Sequence, residues 1–275
     1  MGKIHDALQR AEQERAHAGA ANRSAAAHLE FELKSPVRLH MRSSQRVQRL
    51  RDARRSCVML TDADTHVTEE YRTLRARIQS IRRTRPFRSI VITSARPGEG
   101  KTTTALNLAL SFGLEREGRT CLVDADLRTP AVHQMVLESP EVGLAELLEL
   151  DEKLDRALVR VPDTRLSVLS VKSLPSRPSE LLASRRMAEL MQELQSRFDT
   201  VLVDSPPVLG LPDTTTLIDL CDVMLFVIGS GAASREDVDA SLTQIDASKA
   251  IGCVFNRSHE TQSSYYGSSY SRRKA

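Results

Sequence analysis

Long apolar stretches are missing from this chain of 275 residues. None approaches the ~18 residues needed to span a bilayer. The N-terminus also lacks the apolar core of a secretory signal. The expectation is therefore a soluble, cytoplasmic protein. Cysteine is sparse too: Cys57, Cys121, Cys221 and Cys253 are scattered, with no Cys-x-x-Cys pair. Three of them lie in or beside apolar strand-like runs, which suits buried reduced thiols better than metal ligands or disulfides. Acids are rare around Arg38, Arg42, Arg46, Arg49, Arg51, Arg54 and Arg55. Such a run fits an anionic lipid surface or an acidic partner, and equally a solvated linker. Residues 259–275 have no aliphatic side chain except Ala275, so this tail cannot join a core.

What is present is one good-sized α/β core, since 40% of the residues are hydrophobic. Three regions are expected. Residues 1–60 form an N-terminal amphipathic helix, with Ile4, Leu8 and Ala11 on one face, followed by a flexible Arg-rich arm. Residues 61–258 form the folded domain and 259–275 a flexible tail. A helix is predicted from about Val67 to Arg82, capped by Thr65 or Thr68. Strands are predicted at 88–94, 120–125, 166–171, 200–204, 223–229 and 252–256, and helices at 101–116, 130–137, 143–149, 177–197, 212–220 and 234–248. Continuous apolar strands alternating with helices predict a mostly parallel sheet covered on both faces.

Residues 93–104 read Thr-Ser-Ala-Arg-Pro-Gly-Glu-Gly-Lys-Thr-Thr-Thr, between an apolar strand and a helical pattern. Strand, Gly-bearing loop, Gly-Lys-Thr and helix in that order make a P-loop, hence an α/β P-loop NTPase. Gly98 and Gly100 permit the turn that points backbone N–H groups at phosphate oxygens. Arg96, Pro97, Gly98, Glu99, Gly100, Lys101, Thr102 and Thr103 are the candidate ATP cradle. Lys101 places a charge on the β/γ-phosphates and Thr102 a hydroxyl on Mg²⁺, at a helix N-terminus that itself favours anions. One departure is Ala95, where the strict motif has glycine.

Two acidic motifs complete the pattern. Val201-Leu-Val-Asp204-Ser-Pro-Pro ends an apolar strand in a carboxylate, as a P-loop fold needs near Mg²⁺. Cys121-Leu-Val-Asp124-Ala-Asp126-Leu-Arg128 ends another in two acids spaced i, i+2. One can orient Mg²⁺ while the other accepts a proton from an attacking hydroxyl. The plainer alternative is a surface Asp124 and a helix-capping Asp126.

The whole chain has four tyrosines, and Tyr265, Tyr266 and Tyr270 fall within its last eleven residues, among small polar residues. Nothing there can bury an aromatic ring. Nucleic-acid stacking and low-complexity self-association are two readings.

The three motifs together resemble the bacterial tyrosine kinases, a P-loop family that controls capsule and exopolysaccharide synthesis, over roughly residues 60–270. The opening Met1-Gly-Lys-Ile-His-Asp-Ala-Leu resembles autokinases encoded with exopolysaccharide gene clusters. Glu69-Glu-Tyr-Arg72-Thr-Leu-Arg75 resembles the family's oligomerisation helix. The resemblance implies a Mg-ATP-dependent autokinase that phosphorylates Tyr265, Tyr266 and Tyr270 on a neighbouring chain and regulates polysaccharide polymerisation and export. It implies Lys101, Asp124, Asp126 and Arg128 as catalytic residues, with Asp126 the general base. Thr102, Asp126 and Asp204 become the Mg²⁺ residues, and Asn256 a reader of the adenine edge. Implied partners are further copies in a ring, an octamer in the family, a membrane-anchored co-polymerase as activator and a cognate tyrosine phosphatase. Nucleic acid is not expected, and the protein would sit peripherally at the inner membrane face through its partner. The rival reading is a partition or division-site ATPase. Arg96 stands where that branch carries a signature lysine, and is expected on the loop exterior.

Overall fold

The computed structural model describes residues 57–61, 66–134, 140–150 and 152–258. The predicted N-terminal helix, the Arg-rich arm, Thr65 and the tyrosine tail lie outside the described residues.

Seven strands form one sheet in the order β3-β4-β2-β5-β1-β6-β7. They are β1 (Ser89–Ser94), β2 (Thr120–Asp124), β3 (Leu158–Arg160), β4 (Leu166–Leu169), β5 (Thr200–Asp204), β6 (Val223–Gly229) and β7 (Ala250–Asn256). All pairings are parallel except β3 with β4. Among the described residues the α-helices are α1 (Val58–Thr61), α2 (His66–Thr84), α3 (Lys101–Gly113), α4 (Leu144–Leu150), α5 (Pro178–Leu182), α6 (Arg185–Arg197), α7 (Asp213–Leu220) and α8 (Arg235–Thr243).

Alternation along each strand divides the core between the two faces. Ile90, Ile92, Leu122, Leu202, Leu225 and Val227 pack with Met59, Ile78 and the α3 residues Leu106, Leu108 and Leu110. Val91, Val123, Val201, Val203, Phe226 and Ile228 pack with Leu144, Leu182, Leu190, Leu194, Leu217 and Val238 from α4 to α8. Full burial of each such side chain is worth about 1.5–3 kcal/mol. Packing begins before position 61: Cys57 and Met59 are buried, and the Met59 N–H donates to Asn107 Oδ1 on α3 at 3.3 Å.

Several boundaries differ from expectation. The segment predicted as one helix over 177–197 is two, because Ser184 turns extended and its hydroxyl accepts the Met187 N–H, restarting the helix as α6. The helix predicted over 130–137 is a single 3₁₀ turn at Val132–Gln134 within the described residues. The 234–248 helix stops at Thr243, and a 3₁₀ turn at Ala247–Lys249 leads into β7. β3 is a three-residue edge strand that no sequence pattern announced.

The chain runs from β1 to β2 across the place of β5, while β6 lies on the other side of β1. The carboxyl ends of β1, β2 and β5 therefore open onto one crevice, where open α/β sheets bind ligands.

Candidate active site

The loop between β1 and α3 wraps the α3 N-terminus. Gly98 and Gly100 sit at φ +83° and +92°, the left-handed region that favours glycine. Lys101, the first residue of α3, extends its ammonium to within 3.5 Å of Asp126 Oδ2. Thr102 and Thr103 follow in the same turn. Ala95 is fully buried and is not among the residues at positive φ, so no glycine is needed there. Glu99 points inward: its carboxylate is wholly buried and accepts N–H groups from Arg96 (2.7 Å) and Gly229 (2.9 Å). Burial raises the Glu99 pKa and these N–H groups partly offset that.

Three acids converge on the loop, each held differently. Asp124 and Asp204 lie side by side, in register on β2 and β5. Asp124 accepts N–H groups from Asp126 (3.3 Å), Ala131 (3.2 Å) and Val132 (3.0 Å), so it shapes the loop after β2. Burial, then the nearby Asp126 charge, push its pKa up to about 7. Asp126 accepts the Thr129 N–H at 2.9 Å and the Thr129 hydroxyl at 3.0 Å. Thr129 was not foreseen as a site residue, although an Asp accepting the N–H three residues on is the spacing of a cap.

Asp204 is different. Both of its carboxylate oxygens are buried and neither meets a donor in good hydrogen-bond geometry, although the Thr102 hydroxyl lies close by. Burial, reinforced by Asp124, pushes its pKa up to about 8, against the opposing pull of Lys101 and the Thr102 hydroxyl. Native proteins rarely leave buried polar atoms unpartnered. The oxygens suit a cation, and a divalent metal beside Thr102 fits this donor set. The loop after β5 is stitched to β1 and α7: Val208 N–H donates to Ser94 O (2.8 Å), and the Thr93 and Thr214 hydroxyls donate to Pro206 O (3.0 and 2.8 Å).

Residues 87–251 match the AAA domain family. The chain is 34% identical over 215 residues to the tyrosine-protein kinase YwqD of Bacillus subtilis, covering 78% of this chain and 90% of that one. This chain is a bacterial tyrosine kinase. Among solved structures, the chimerical protein CapA2B2 superposes with a TM-score of 0.70 at 29% identity, over 75% of this chain and 91% of that one. The septum site-determining protein MinD of Pyrococcus horikoshii, solved with Mg-ADP, gives a TM-score of 0.53 at 20% identity, over 64% and 72% of the two chains. That likeness is one of P-loop fold alone.

In this kinase the remaining predicted residues fall into distinct environments. Arg128, expected among the catalytic residues, is held by two side chains. It donates to Asp213 Oδ2 and to the Ser179 hydroxyl, each at 2.9 Å, clamping the loop after β2 to α7 and α5. Its pKa is raised, first by the hydrogen bond to Asp213. Asp213, buried at the start of α7, is a residue that sequence reasoning missed. Asn256, expected to read adenine, spends its amide inside the protein: Nδ2 donates to Glu99 O at 2.9 Å and Oδ1 accepts the Arg257 N–H at 3.0 Å. Arg96 lies at the loop surface as expected, paired with Asp237 on α8 at 2.8 Å.

The Glu69, Arg72 and Arg75 set divides. Glu69 and Arg72 pair with each other on the exposed face of α2. Arg75 turns inward instead, donating to Ser111 O at 2.6 Å and pairing with Glu115 at 2.6 Å near the α3 C-terminus. A cation is favoured there by the helix carbonyls. Tyr71 packs on the core with its hydroxyl beside Thr104 and Asn107, and burial raises its pKa. No described helix is long and apolar enough to cross a membrane.

Proposed function

We propose that this kinase uses Mg-ATP to phosphorylate Tyr265, Tyr266 and Tyr270 of a neighbouring copy, and thereby regulates exopolysaccharide polymerisation and export. The observation that carries the reading is Asp204, a buried carboxylate with no well-formed hydrogen bond, in register with Asp124 and next to Lys101 and the Thr102 hydroxyl. Thr102 and Asp204 would hold Mg²⁺, which when bound neutralises phosphate charge. The Gly98–Thr103 N–H groups and the α3 N-terminus cradle the phosphates. Lys101 meets the β/γ-phosphates by leaving its partner Asp126. Asp126 is then free to take the proton of the incoming phenol as the phenol oxygen bonds to the γ-phosphorus. The bond from that phosphorus to the β–γ bridging oxygen breaks, and ADP departs. Asp124 supports Asp126 by fixing the loop that carries it.

Reach supports transfer between copies: fourteen residues from Asn256 to Tyr270 span up to ~50 Å when extended. Tyr71, the one tyrosine outside the tail, is packed against the core. The exposed Glu69–Arg72 pair provides a surface by which copies could form a ring. A ring holds each tail near the next crevice at high effective concentration. Each phosphate adds roughly −1.5 to −2 charges, which disfavours docking and loosens the ring. A membrane-anchored co-polymerase is the activator, so the kinase works at the inner membrane face, and a tyrosine phosphatase resets the cycle.

The test is phosphotyrosine on the purified full chain with Mg-ATP, alone and with the activator's cytoplasmic segment. Lys101→Met removes the phosphate-binding charge and keeps the stem, so its signal should vanish. A Lys101→Met chain that labels at the normal rate, with no other kinase present, contradicts the assignment.

A further inference from the structure

We propose that Glu99 and Asn256 are positioning residues that pin the phosphate loop in its binding conformation from behind. The proposal rests on the loop being the nucleotide site. It is carried by a set of contacts linking residues 130 and 157 positions apart.

Asn256 Nδ2 donates to the Glu99 carbonyl at 2.9 Å. In a trans peptide, the Glu99 carbonyl and the Gly100 N–H point in opposite directions. Holding that carbonyl outward therefore turns the Gly100 N–H toward the hollow of the loop. The amide packs so closely that a Cβ on Gly100 would fall 2.0 Å from Nδ2. The Glu99 side chain acts on the same stretch. One oxygen takes the Arg96 N–H at 2.7 Å, closing the first half of the loop on itself. The other takes the Gly229 N–H at 2.9 Å, fixing the loop to the end of β6.

Gly229 and Asn256 are register partners at the carboxyl ends of β6 and β7. Ser230 N–H donates to Asn256 O at 2.8 Å, which joins the two strand ends. The loop thus leans on a paired strand terminus rather than on its own turn chemistry. Space behind it is closed as well: a Cβ on Gly229 would meet Glu99 Cα at 3.0 Å. A loop held in advance binds phosphate without first spending free energy on ordering.

Asn256→Asp tests this without changing shape. It replaces a donor with an acceptor facing the Glu99 carbonyl, so affinity for a fluorescent ADP analogue with Mg²⁺ should fall roughly tenfold. KM for ATP should rise by a similar factor while kcat at saturating ATP holds, the signature of binding lost equally in the ground and transition states. Glu99→Gln, which turns an amide N–H toward one of the two donors, should act in the same direction. Nucleotide-free thermal unfolding of each variant gives the folded fraction. Normal affinity per folded molecule in Asn256→Asp, or a fall in kcat with KM unchanged, overturns the pinning role alone. A wild-type chain that binds no nucleotide overturns the phosphate-loop reading and this one with it.

Discussion

Replacing Asp204 with Asn should stabilise the nucleotide-free kinase while abolishing its response to magnesium. The carboxylate is fully buried, has no donor in good hydrogen-bond geometry and lies beside Asp124. Its pKa is pushed up to about 8, against about 3.9 in an unfolded chain. Between those values the folded state binds a proton that the unfolded state releases. Stability from this group is therefore intact below about pH 4 and is lost as pH rises toward about 8. The interval is about four pH units at 1.36 kcal/mol each, a loss on the order of 5 kcal/mol. Asp124, raised to about 7, titrates with it and broadens the fall. A domain of 150–250 residues shifts its melting point by roughly 2–4 °C per kcal/mol. Asp204→Asn should thus melt roughly 10–20 °C higher than wild type at pH 8.5 and only roughly 3–6 °C higher at pH 5. Mg²⁺ added with ADP should raise the wild-type melting point through binding linkage and leave the variant at its value with ADP alone. Melting curves from pH 5 to 8.5, with and without Mg-ADP, decide the matter. Equal melting points for the two proteins at pH 8.5, or a wild-type curve flat across that range, would refute the reasoning.

Three further outcomes follow from other parts of the site. Asp126→Asn should keep nucleotide affinity and lose roughly 10²–10⁴-fold in phosphoryl transfer, because the proton acceptor is gone; single-turnover transfer beside equilibrium binding checks this. Gly100→Ala should lose nucleotide binding, since φ +92° strains any residue with a Cβ and that atom would sit 2.0 Å from Asn256 Nδ2; titration with labelled ADP reads it. Glu69→Ala with Arg72→Ala should shift assembly toward monomer at unchanged melting point, whereas Arg75→Ala should lower the melting point by breaking its contacts with Ser111 and Glu115; light scattering and calorimetry on each variant separate the two.

The order of elements was legible because every central strand is an unbroken apolar run ending in punctuation, such as Val201-Leu-Val-Asp204-Ser-Pro. β3 was invisible because a three-residue edge strand has no periodicity to show. The break at Ser184 hid behind Leu181 and Leu182, which continue the helical apolar rhythm across the gap between α5 and α6. At the site, the sequence pattern brought Lys101, Thr102, Asp124, Asp126 and Asp204 together, and the fold gathers them at one crevice. What it could not show is what each polar group is bound to. Arg75 was expected on an oligomerisation helix and Arg128 among the catalytic residues. Their partners Ser111, Glu115, Asp213 and Ser179 are 36 or more positions away. Asn256 likewise looked like a ligand contact, because its partner Glu99 arrives from the other end of the domain.

The most direct measurement mixes two proteins that are each disabled in a different way. Lys101→Met chains keep an intact tail, and active chains with Tyr265, Tyr266 and Tyr270 replaced by Phe keep the crevice. Incubated together with Mg-ATP and the activator's cytoplasmic segment, the mixture should carry phosphate on Tyr265, Tyr266 or Tyr270 of the Lys101→Met chain, read by mass spectrometry. Phosphate on Tyr71, or an unlabelled mixture under conditions in which wild type labels, would contradict phosphorylation of the tail between copies.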